Sequence, residues 1–177
     1  MRFVVSIGIL LLSQCVFAAT LEKLSVDQMA QQSTVIVRGK INGCGGEARG
    51  SVIYTRCSVT VNETLKGTPK SQVDFIVPGG RVRSLSQTFT GTPKFNANEQ
   101  YVLFLWVGRS GVAQIIGLSQ GVFDVSVKPN GETVLRREAT SEVMLDSKGN
   151  QVKDETLDLS MAELRTQVKK ALAGGAQ

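Results

Sequence analysis

The chain has 177 residues, with 20 Lys and Arg against 15 Asp and Glu, a formal net charge of +5 and no histidine. Without imidazole, Ser-His-Asp and Cys-His catalysis are excluded, and most zinc sites lose their usual ligand. The basic residues are spread along the chain instead of forming a run, so the charge reads as a solvated surface that selects no particular partner.

The first residues read as a targeting segment. Met1-Arg2 gives a short positive start, Phe3 to Leu12 an apolar stretch, and Val16-Phe17-Ala18 a small-x-small cleavage site. A signal peptide over 1–18 follows, with cutting between Ala18 and Ala19. Lipidation of Cys15 is disfavoured, because Gln14 stands where a lipoprotein signal wants a small residue. The apolar stretch is too short for a stable anchor, so no membrane span is expected after cleavage. The expectation is an exported protein, periplasmic or secreted, with one β-domain over 19–158 and a helix over 159–177. Cys44 and Cys57 then remain, and two cysteines in an exported chain pair. A disulfide closing a loop of this length contributes about 3 kcal/mol in the chain-entropy description.

Ser25 and Gln28 form a capping-box pattern ahead of Val26, Met29 and Ala30, which predicts a short helix over 25–32 plugging one end of the core. Residues 34–41 alternate as a strand with one wet side, and Gly39 inside it predicts a bulge or bend. Gly43 to Gly50 is expected to be a loop. It lacks the Lys-Ser/Thr ending and following helix of a phosphate cradle. Residues 51–65 alternate over a long strand that turns Cys57 inward. A turn at 66–69 leads to a third strand over 72–77, which Pro78-Gly79-Gly80 ends. Residues 81–91 alternate poorly, so a break in pairing is expected there, with Arg81 and Arg83 projecting from one side.

Tyr101 to Val107 is an unbroken apolar run with β-branched and aromatic members. It predicts a strand buried on both faces, around which the others wrap. Gly108 to Gly111 is a hairpin tip, residues 112–116 return, and 121–127 form a further strand. Pro129-Asn130-Gly131 turns the chain into a partner at 133–135. Residues 138–157 are polar, with a weak strand at 143–145. Ser160 and Glu163 form a second capping box, and Met161, Leu164, Val168, Ala171 and Leu172 predict an amphipathic helix over 161–173, ended by Gly174.

Several pieces in this order carry a resemblance: Leu65-Lys66-Gly67, Pro78-Gly79-Gly80, Gly91-Thr92-Pro93-Lys94-Phe95, the run from Tyr101, and Gln120-Gly121-Val122-Phe123. Together they resemble uncharacterised exported bacterial domains. More distantly, the helix–strands–helix order resembles the netrin and tissue-inhibitor-of-metalloproteinases-like barrels of OB type. The resemblance implies a mainly β fold: a small closed or partly open OB-like barrel with a short N-terminal helix and a C-terminal amphipathic helix. It also implies binding in place of catalysis. The animal inhibitors chelate the protease zinc through an amino-terminal cysteine. Here the mature chain would start at Ala19, so contact through loops is the implied mode.

The expected function is an exported, non-enzymatic binding module. Its partner would be a protein, a secreted protease among the candidates. The loops at 43–50, 78–84 and 108–111 form the candidate surface, with Arg81, Arg83 and Arg109 as anchors. No cofactor, metal or nucleic acid is expected. The alternatives are polyanion or nucleic-acid binding on an OB-like face and a structural role in the envelope.

Overall fold

The structure, a computed structural model, describes residues 20–174. The expected signal peptide over 1–18 and Cys15 lie outside the described residues. In chain order the elements are β1 (Thr20–Glu22), α1 (Val26–Gln32), β2 (Val35–Arg49), β3 (Val52–Lys66), β4 (Gln72–Pro78), β5 (Gly80–Val82) and β6 (Leu85–Gln87). They continue with β7 (Gln100–Val107), β8 (Ala113–Ile115), β9 (Val122–Val127), β10 (Thr133–Arg137), β11 (Val143–Leu145), β12 (Gln151–Val152), β13 (Leu157–Ser160) and α2 (Met161–Gly174). The fold is mainly β with two helices, as the alternation and capping patterns predict.

The main sheet runs β13-β10-β9-β7-β2-β3-β4-β8, and β8 also pairs with β7. Strands β7, β2, β3, β4 and β8 therefore return on themselves as a partly closed ring. Closure is thin: β8 meets β4 in parallel at Phe75↔Ala113 and Ile76↔Gln114, and meets β7 antiparallel from Leu105↔Ile115 to Val107↔Ala113. The same edge of β7 serves β9 over Tyr101–Leu103. The fork between these partners lies at Phe104, whose N–H donates to the Gly121 carbonyl and whose carbonyl accepts from Ile116 N–H. A Cβ on Gly121 would lie 2.7 Å from the Ile116 carbonyl oxygen, which explains a glycine at that point. Its neighbour Gln120 is buried and ties the fork to the chain start, accepting from Leu24 N–H and donating to the Glu22 carbonyl.

Strand β7 separates two apolar cores. Val102 and Phe104 face one core with Met29 and Ala30 of α1 and Leu164 and Val168 of α2. Tyr101, Leu103 and Leu105 face the other, inside the ring, with Val37, Val59 and Phe75. The period-2 geometry of a strand makes this division automatic once both sides are covered. The predicted double burial holds from Tyr101 to Leu105. Trp106 departs from it at 47% exposure.

Both capping boxes form. Gln28 N–H donates to Ser25 Oγ while Ser25 N–H donates to Gln28 Oε1, and Ser160 and Glu163 do the same for α2. The ladder between β2 and β3 shifts register at Arg38/Gly39, where a bend was predicted. Two expectations are corrected. Residues 43–49 are strand and not loop, because β3 pairs with them from Gly43↔Ser58 to Arg49↔Val52. The side of β2 opposite Val37 is not simply wet, since Ile36 is buried against the helices.

Candidate functional site

The ring has two chemically distinct ends. One gathers the tip of the β2–β3 hairpin, the end of β4 and the β5–β6 hairpin, since Tyr54 pairs with Pro78 and Gly80 follows directly. The other gathers the β3–β4 turn, the start of β4 and the turn from Gly108 to Val112 that precedes Ala113. The length of β4 separates them by roughly 20 Å.

This division sorts the three predicted arginines. Arg81, in β5, and Arg83, in the β5–β6 turn, share the first end, and both are exposed. Arg109 sits in the turn at the opposite end. The structure therefore brings two of the three together. Arg83 takes φ +54°, the left-handed region, which makes the two-residue turn between Val82 and Leu85 tight.

Beside Arg81 lies a cleft of about 380 Å³. Its walls include Phe89, Pro93, Phe95 and Pro78, with the Cys44–Cys57 bridge among its lining. The predicted disulfide is present, with Cys44 and Cys57 as direct cross-strand partners 4.1 Å apart at Cα. Cys57 is buried, whereas Cys44 is exposed. Such a bridge belongs to oxidising compartments.

The cleft is held by its surroundings. Phe95 stacks edge-on against both Phe75 and Tyr101, with centroids 5.1 Å apart in each pair. Tyr101 in turn donates its phenol to Glu99 at 2.7 Å. Burial first, and this bond second, push the phenol up to about 12. Gln87 bridges β6 to the main sheet, accepting from Ile53 N–H and donating to the Ser51 carbonyl. Thr55 Oγ1 donates to the Gly79 carbonyl at 2.8 Å. On the wall's outer side, Gly91 rests on Glu142 and Leu118, with φ +74°.

The charges at this end are arranged unevenly. Glu47 binds Arg49 and Arg56 at 2.6 Å each, and these guanidiniums hold its carboxyl at about 2. Arg81 and Lys94 line the cleft, and neither is engaged by a carboxylate among the described residues. No acidic side chain lines it with them. Leu85 and Phe89 stand 68% and 43% exposed on and beside the β5–β6 hairpin.

Sequence reasoning found Arg81 and Arg83 but not the cleft. The weak alternation over 81–91 was the available signal: it marks a hairpin that leaves the main sheet and overhangs it. Among the described residues no group of three His, Cys, Asp or Glu is placed to hold a metal ion, and no helix is long and apolar enough to cross a membrane. Compared with protein-family models, curated proteins and solved structures, the chain shows no match.

Proposed function

We propose that the protein is an exported, non-enzymatic binding module whose disulfide-bearing end contacts a partner protein, a secreted protease among the candidates. The observation that carries this reading is the β5–β6 hairpin. It displays exposed Leu85 with Arg81 and Arg83 on a segment that belongs to neither core. Exposed apolar groups flanked by arginines that no carboxylate engages among the described residues are the composition of an interaction surface.

The reading includes an OB-type barrel. The order β7-β2-β3-β4 has three consecutive antiparallel strands and a fourth that returns beside the first, which is Greek-key order. A fifth strand, β8, joins β4 to β7, in keeping with the five-stranded, partly open OB ring. The alternative of polyanion binding on the outer β3–β4 face has less support. Arg56, the central cation of that face, is already bound by Glu47 and lies 3.9 Å from Asp74.

The test is capture from the native secretome with the oxidised mature protein, run beside Leu85→Asp and Arg81→Asp/Arg83→Asp variants. A stoichiometric partner retained by the wild type and lost by the variants is the expected result. A partner retained equally by all three would remove this end from the interaction.

A further inference from the structure

We propose that the cleft beside Arg81 is a receptor for a small apolar carboxylic acid, with its aryl or short acyl body inside and its carboxylate at Arg81 and Lys94. Three observations lead there. The volume of about 380 Å³ lies at the lower end of ligand sites, suited to one ring with a short chain.

The interior asks little hydrogen bonding of a ligand. Thr55 already donates to Gly79, and both ends of the Gln87 amide are taken. What faces inward is largely apolar: Phe89, Pro93, Phe95, Val77 and the disulfide. An apolar body therefore gains burial there, and Thr92 Oγ1 is a lining side-chain atom that stays buried without a hydrogen-bond partner.

The third observation is charge. Arg49, Arg56, Arg136, Arg137 and Arg165 are each bound by a carboxylate. Arg81 and Lys94 have none among the described residues, and they sit on one cleft with no acidic lining. Two cations lining one cleft without an acidic neighbour favour an anion. The guanidinium fork matches a planar carboxylate better than it matches a neutral amide.

The test is a ¹H–¹⁵N NMR titration of the oxidised mature chain with 3-phenylpropionate. Saturable shifts are expected at Gly79, Gly80, Phe89 and Phe95, with a Kd of roughly 100 μM. The neutral isostere 3-phenylpropionamide should bind about tenfold more weakly, as should 3-phenylpropionate to an Arg81→Gln/Lys94→Gln variant. Both substituted side chains are exposed, so an unchanged spectrum away from the cleft will show that the variant folds. Absence of saturable shifts at these amides up to about 10 mM ligand would overturn the assignment. Equal binding of acid and amide would overturn the role of the cations. Binding of acetyl-Gly-Gly-Phe without binding of the free acid would make the cleft a site for a polypeptide end instead. The outcome is separable from the partner-protein reading, since Leu85→Asp lies outside the cleft and should leave acid binding intact while abolishing partner capture.

Discussion

A Cβ on Gly46 would sit 1.9 Å from the carbonyl oxygen of Arg81. The backbones of β2 and β5 thus touch where the second hairpin crosses the first, and only a glycine permits the crossing. Gly46→Ala should push the β5–β6 hairpin off the main sheet, deform the cleft and cost about 2 kcal/mol or more in urea unfolding. Gly45→Ala is the control. Its added methyl meets nothing within 4 Å, and its cost should stay within about 0.5 kcal/mol.

The double burial of β7 predicts a steep contrast within one strand. Phe104 is wholly buried and packs against Phe123, with centroids 5.8 Å apart. Phe104→Ala should cost about 3–5 kcal/mol by denaturant unfolding. Trp106→Ala, two residues on, removes a half-exposed ring and should cost about 1 kcal/mol.

Arg137 and Asp154 form an ion pair at 2.6 Å with side chains only 3% and 1% exposed. Asp154 also accepts from Thr140 N–H, so it anchors the polar segment that follows β10. Asp154→Ala leaves a guanidinium buried without its charge partner and should cost about 3–5 kcal/mol. A double replacement by apolar residues, Arg137→Met with Asp154→Leu, should recover most of that loss. Urea midpoints of the two variants and the wild type measure it.

Stability should fall at both extremes of pH for identifiable reasons. Glu47 is depressed from 4.5 to about 2, so its contribution is complete above pH 4.5 and is lost as pH falls toward 2. Glu47→Gln should flatten that acid limb. Tyr101 is raised from 10 to about 12, so its contribution is complete below pH 10 and is lost as pH rises toward 12. Tyr101→Phe should flatten the alkaline limb. Absorbance titration can follow the phenol directly, since the chain has only one other tyrosine, Tyr54.

The elements with strong local patterns were legible in the sequence. The β7 run, the alternation of β3, and the Ser25 and Ser160 capping boxes each declare their structure within a few residues. Residues 43–49 do not, because their glycines carry no strand preference. Their conformation comes from the ladder offered by β3 and from the bridge to Cys57. Strands β1, β12 and β13 were equally hidden. They are two to four residues long and gain their pairing from distant partners, as Thr20 does from Val143. The cleft was the least legible feature. Its walls span Cys44 to Phe95 and meet only because one hairpin overhangs another. The grouping of Arg81 with Arg83, and the distance of Arg109 from both, likewise follow from strand direction and not from any local signal.

Strand β7 is a party wall: each of the two interiors it divides borrows the same backbone for one side. Neither the helical layer nor the ring can let go of that wall without exposing the apolar side chains of its neighbour. A molecule built this way has no natural seam along which to come apart in stages, and heat or denaturant should take it down in a single step.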